Sequence, residues 1–146
     1  MAHTFHLGRR AGLLLPLSSV RGGAGDLGSY ADAGRVSDWL LTAACTLWQL
    51  LPFNEVSPGQ DSPYAACSSF ALEPVYIDLN GVPDLDALAP DEEAELSRLR
   101  REPRVDFAHY RRVKRDALGR AFRRFFHRER GTDRDRAFRE FRQEHA

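Results

Sequence analysis

The sequence predicts an α/β fold in which parallel strands are joined by a helix. Two apolar runs, Ala11 to Leu17 and Thr46 to Phe53, are too short for helices and are bounded by serine, glycine and proline, which marks them as strands. Between them Val36, Trp39, Leu40 and Ala43 recur at helical spacing. A strand, a helix and a strand within residues 11–53 leave the second strand parallel to the first.

Each element has its own signal. Ala11-Gly-Leu-Leu-Leu-Pro-Leu17 has no polar residue before Ser18 and Ser19, the pattern of a strand buried on both faces. After a glycine-rich loop, Ser29 opens the helix, with Asp32 as its capping-box partner. Beyond the second strand, residues 54–74 form a loop punctuated by Pro58, Gly59, Pro63 and Pro74, and Val75-Tyr-Ile-Asp-Leu79 has the texture of another short strand. Residues 91–101 begin with Asp91, Glu92 and Glu93 and end with Arg98, Arg100 and Arg101, the charge order that a helix dipole favours. From Phe107 to Phe126, the positions Phe107, Tyr110, Val113, Leu118, Ala121, Phe122 and Phe125 fall on one face of a long helix. Thr132 with Asp135 is a second capping box, opening a helix that carries Ala137, Phe138 and Phe141 to the end of the chain. These signals divide the chain into a β-α-β unit with its loop, residues 1–88, and a helical segment, residues 89–146. Two parallel strands do not cover their own faces, and the last helix is still running at Ala146. The expectation is an incomplete fold, cut from a longer chain.

Composition narrows the function. With 146 residues the chain has room for one core. Its net charge is zero, yet residues 1–97 carry 4 Arg against 13 acids and residues 98–146 carry 17 bases against 8 acids. The basic half interleaves its arginines with Asp106, Asp116, Glu129, Asp133, Asp135, Glu140 and Glu144, the pattern of solvated, ion-paired helix faces, so no nucleic-acid partner is expected. Lys114 is the only lysine, a bias that fits genome composition. The run from Ala11 to Leu17 is too short to span a bilayer and Pro16 interrupts it, so no membrane attachment is expected. Cys45 and Cys67 have neither metal-ligand nor redox spacing, which fits a reducing cytoplasm.

Three sets of residues are candidates for chemistry. Gly23-Ala-Gly25-Asp-Leu-Gly28 matches G-x-G-x-x-G, but five residues separate it from the strand and no acid ends the second strand at the required distance. A flexible loop capped by Ser29 is the plainer reading. Asp61-Ser62-Pro63-Tyr64 lies in the loop after the second strand, on the side where parallel α/β proteins place their sites. There a tyrosine held beside proline offers a flat face to a sugar ring, and Asp61 and Ser62 either bond hydroxyls or simply close the turn. Glycoside chemistry needs a carboxylate pair, and among Asp26, Glu55, Asp61, Glu73 and Asp78 no spacing marks one. His109, His127 and His145 lie among arginines as surface groups, and no metal site is expected.

Arg10-Ala-Gly-Leu-Leu-Leu-Pro-Leu-Ser-Ser19, Gly25-Asp-Leu-Gly28, Leu47-Trp-Gln-Leu-Leu-Pro52, Asp61-Ser-Pro-Tyr64, Ser69-Phe-Ala71 and Ile77-Asp-Leu79 together resemble the start of the amylomaltase family, glycoside hydrolase family 77. Val105-Asp-Phe107, Val113-Lys114 and Ala121-Phe122 extend the resemblance to about residues 9–126. It departs from many relatives at Val20-Arg21, at 54–60, where a tyrosine before Asp61 is missing, and at Ala71-Leu-Glu-Pro74. The resemblance implies the N-terminal part of a (β/α)8 TIM barrel with a helical insertion, here an incomplete barrel. It implies a 4-alpha-glucanotransferase that needs no cofactor and moves α-1,4-glucan segments between malto-oligosaccharides by a retaining double displacement. On the family pattern Tyr64 stacks on glucose near the scissile bond, and Ser62 and Asp61 shape the donor-side groove. The catalytic carboxylates fall on later strands, so no residue here takes their role. The alternatives are a non-catalytic remnant that binds glucan or a partner protein, and a nucleotide-binding domain.

Overall fold

The computed structural model describes residues 8–22 and 26–145. Strands β1 (Gly12–Leu14) and β2 (Leu47–Gln49) pair in parallel with Leu13 opposite Trp48. Leu15 N–H donates to Gln49 O at 3.1 Å and Thr46 N–H to Ala11 O at 3.0 Å, extending the ladder at both ends. Helix α1 (Asp32–Thr42) makes the crossover and lays Val36 and Leu40 against Leu13, Leu15 and Trp48. The chain is therefore of the α/β class, with the parallel pairing that its apolar runs imply.

The strands are shorter than the runs, and the first is not buried on both faces. Side chains alternate across a strand, so Leu13 and Trp48 turn toward α1 while Leu14 and Leu47, 56% and 47% exposed, turn away. Only one layer covers the sheet among the described residues. The rest of the first run leaves the strand direction and forms a 3-10 turn, Leu17–Ser19, with Leu17 buried.

Helix α1 begins at Asp32 rather than at Ser29. The Asp32 carboxylate accepts both the Ser29 N–H (2.8 Å) and the Ser29 hydroxyl (2.7 Å), which draws residues 29–31 into a turn ahead of the helix. At the other end, Ala44 N–H donates to Leu41 O and Cys45 N–H to Leu40 O, a Schellman arrangement that places Ala44 at φ 55°. An alanine in that left-handed conformation is strained, so Ala44→Gly is expected to stabilise the chain by about 0.5–1 kcal/mol. An unchanged or lower urea midpoint would show that the helix does not end in this way.

The expected strand at Val75–Leu79 is instead a pair of 3-10 turns, Pro74–Tyr76 and Leu79–Gly81. The Glu73 carboxylate accepts Val75 N–H (3.4 Å) and the Asp78 carboxylate accepts Asn80 N–H (3.0 Å), each closing the turn that follows it. Helices α2 (Pro90–Leu99) and α3 (Phe107–Arg128) pack on these turns. Leu96 and Leu99 of α2 and Tyr110, Val113 and Ala117 of α3 form one core with Val75, Tyr76, Leu79, Leu17 and Leu27. Ala117 is wholly inaccessible, and so small a side chain lets the turn backbone approach the helix closely.

The long helix buries most of the face read from its sequence, with two differences. Lys114 is buried among the apolar positions, and Phe122 is half exposed. The outer end of that face serves α4 (Asp133–Glu144), which folds back after Gly131, at φ 81°, and brings Phe138 to within 5.8 Å of Phe122 and 5.4 Å of Phe125, centroid to centroid. Thr132 Oγ1 accepts Asp135 N–H, as the capping box requires, while the Asp135 carboxylate reaches back one residue further, to Gly131 N–H at 2.9 Å. Glu92 in the first turn of α2 is buried, accepts Ala89 N–H at 2.9 Å and pairs with Arg120 of α3, whose hydrogen bonds hold its carboxyl below the usual carboxylate range.

Candidate functional site

The segments leaving the C-terminal ends of both strands, Pro16–Ser18 and Leu51–Asn54, converge on a cleft of about 110 Å³ that is completed by Asp61, Pro63, Glu73, Tyr76, Phe107 and Arg111. Its far wall is the loop between β2 and the first of the two 3-10 turns that follow it. That loop doubles back on itself: Glu55 N–H donates to Ala71 O, Cys67 N–H to Glu55 O and Ser57 N–H to Ala65 O. At its base the Tyr30 hydroxyl donates to Glu73 O at 3.1 Å and to Phe53 O at 3.3 Å. Burial pushes that phenol up to about 12, so it stays a donor. Its ring meets Phe53 and Tyr76 edge to face.

The tip of the loop carries the residues singled out from the sequence. Ser62 Oγ accepts Tyr64 N–H at 3.3 Å and Ser62 O accepts Ala65 N–H at 3.0 Å, a tight turn around Pro63. The turn leaves Tyr64 73% exposed. Asp61 lies beside the cleft, with Oδ1 at 3.0 Å from Arg111 Nη1. Arg111, which the sequence does not single out, and Glu73, there only one of five unpaired carboxylates, tie this loop to α3. The only signal is the place of Arg111 next to Tyr110 on the apolar stripe, hidden within a charge run that also forms exposed pairs such as Arg136 with Asp133.

Other candidates have structural duties. Asp26 accepts Leu27 N–H and faces Arg100, Glu73 accepts Val56 N–H and Val75 N–H, and Asp78 caps Asn80. His109 pairs with Asp106 at the start of α3. Among the described residues no group of His, Cys, Asp and Glu could hold a metal ion. Gly23 to Gly25 of the glycine motif lie outside the described residues. Gly28 has a packing reason to be glycine, since a Cβ there would sit 2.1 Å from Leu17 O and 2.7 Å from Val20 O. Lys114 is 3% exposed and donates from Nζ to Val75 O at 2.7 Å and Ile77 O at 2.9 Å. Burial lowers its pKa, opposed by the charges of Asp26, Asp78 and Asp32.

A parallel β-α-β unit whose strand exits meet at a cleft, backed by helices and edged by an exposed tyrosine, defines an α/β protein with its site at the carboxyl ends of its strands. The family model described as 4-alpha-glucanotransferase matches residues 15–146, and the chain belongs to that family, glycoside hydrolase family 77. It is 40% identical over 86 residues, 58% of this chain, to a chloroplast/amyloplast 4-alpha-glucanotransferase of Arabidopsis thaliana. It is 31% identical over 119 residues, 81% of this chain, to a 4-alpha-glucanotransferase of Streptococcus pneumoniae. The amylomaltase from Streptococcus agalactiae, solved in complex with acarbose, superposes on 94% of this chain with a TM-score of 0.69 at 27% identity. The chain spans 14%, 23% and 27% of these three proteins, respectively.

Proposed function

We propose that this chain is the opening segment of a 4-alpha-glucanotransferase that transfers α-1,4-glucan segments between malto-oligosaccharides by a retaining double displacement. The observation that carries this reading is the family match across residues 15–146, with Tyr64 exposed at a braced loop tip beside the strand exits. Residues 1–88 supply the first β-α-β of a (β/α)8 barrel and its substrate-side loop, and residues 89–146 belong to a helical insertion packed behind it. The catalytic carboxylates lie outside these residues, which is in keeping with the structural duties of Asp26, Glu73 and Asp78. In this reading the protein works in the cytoplasm, a reducing compartment that favours Cys45 and Cys67 as free thiols.

In this reading Tyr64 is the platform for a glucose ring, with Ser62 and Asp61 bordering the donor-side groove. Removing the platform forfeits the stacking contact, so Tyr64→Ala is expected to weaken maltoheptaose or acarbose binding about tenfold without lowering thermal stability. Titration calorimetry on both forms decides it, and equal affinities would end the case for Tyr64. The gene product's ability to release glucose from maltotriose separates a transferase from a glucan-binding remnant.

A further inference from the structure

We propose that Arg111 is a positioning residue for the glucan loop, holding the Asp61–Tyr64 tip in place from α3 through a clamp shared with Glu73; the inference rests on the reading of that loop as glucan-binding. The loop's own hydrogen bonds join its two limbs to each other, and at the base to Phe53 and Tyr30, but do not fix the tip against the helices. That attachment comes from a residue 50 positions away. Arg111 Nη1 donates to Gln60 O at 2.8 Å and to Asp61 Oδ1 at 3.0 Å, so it grips backbone and side chain in the two residues before the turn. Its Nε lies 3.5 Å from Glu73 Oε2, too poorly placed for a hydrogen bond but close enough for an ion pair.

The clamp is built in at both ends. The guanidinium rests over the Phe107 ring one turn back on the same helix, 5.4 Å from its centroid, which limits the rotamers open to it. Glu73 is buried, and its carboxylate also accepts the N–H groups of Val56, on the first limb of the loop, and Val75, in the 3-10 turn that follows it. One helix residue therefore spans from the loop's base to its tip. Arg111 also engages Asp61 Oδ1, which leaves Oδ2 as the oxygen available to a ligand hydroxyl. Arg111 touches no glucan in this scheme; its effect on binding passes through where the Ser62–Pro63–Tyr64 turn sits, and sub-ångström placement of such a platform is worth a large share of its affinity.

The test is maltoheptaose titration of Arg111→Met, Arg111→Lys, Tyr64→Ala, the double variant Arg111→Met with Tyr64→Ala, and Glu73→Gln with Arg111→Met, each in the full chain and with hydrogen exchange followed. Arg111→Met is expected to bind about fivefold more weakly, with faster exchange at Ala65 N–H and Ser57 N–H. Arg111→Lys keeps a charge beside Glu73 and is expected to recover stability but not affinity, since one ammonium does not reach all three partners. Glu73→Gln with Arg111→Met leaves no buried charge unpaired and still binds weakly. Because Arg111 acts through Tyr64, the double variant is expected to bind no more weakly than Tyr64→Ala alone. Wild-type affinity in Arg111→Met, or additive losses in the double variant, overturns the inference while the glucan reading stands. Unaltered binding in Tyr64→Ala overturns the glucan reading and this inference with it.

Discussion

Replacing Lys114 with methionine is expected to remove about 3–5 kcal/mol of unfolding free energy. Methionine fills nearly the same volume, so the loss is polar in origin. Val75 O and Ile77 O are left in the interior with no donor, and α3 is no longer tied to the 3-10 turn it covers. Arg115, next in sequence but exposed, is the control, and its replacement by methionine is expected to stay within about 0.5 kcal/mol. Equal urea midpoints for the two variants would mean that the amine contributes nothing. The pH dependence gives a second readout. Burial lowers the Lys114 pKa below its ordinary 10.5, so between the folded value and 10.5 the unfolded chain binds more protons than the folded one. Stability therefore rises as pH is raised through that window, and the full cost of burying the cation is present below it. Lys114→Met lacks that rise.

Gly28→Ala is expected to cost about 4 kcal/mol or more, enough to leave a marginal domain largely unfolded. The added carbon meets backbone at both close approaches, Leu17 O at 2.1 Å and Val20 O at 2.7 Å, so no side-chain rotation relieves the clash. Relief requires the 3-10 turn at Leu17–Ser19 to move out of the core. Gly34 provides the contrast: it lies within α1 with nothing within 4 Å of an added Cβ, so Gly34→Ala is expected to stabilise by about 0.5–1 kcal/mol. Thermal melts of the two variants shifting in opposite directions confirm that the backbone is packed tightly at one site and open at the other. A tolerated Gly28→Ala would show that the turn is not seated there.

Much of the architecture was legible because it depends on local pattern. The paired apolar runs and the helical period between them gave the parallel β-α-β, and Thr132 with Asp135 marked the start of α4 to the residue. The reading failed where a tertiary partner replaced a local one. Val75, Ile77 and Leu79 alternate as in a strand, but no neighbouring strand takes the carbonyls of 75 and 77; an ammonium group does, and the chain coils around it. The extent of the first strand was overestimated because an uninterrupted apolar run does not say where a buried turn begins. In the candidate site, Pro63 and the flanking glycine and prolines place Asp61 to Tyr64 in a loop. Its brace was hidden, because Arg111 lies in a helix whose other arginines are mostly solvated, and only the fold shows which of them turns inward.

The burial of the chain's only lysine also gives this protein an unusual chemical silence. Within these 146 residues the folded chain presents no lysine amine to an acylating reagent, and a lysine-directed protease has only one peptide bond to cut, within a packed helix. Modification at position 114 therefore requires the core to open. The kinetics of amine labelling become a direct clock for separation of α3 from the turns beneath it, readable by mass in a mixture without a spectroscopic probe.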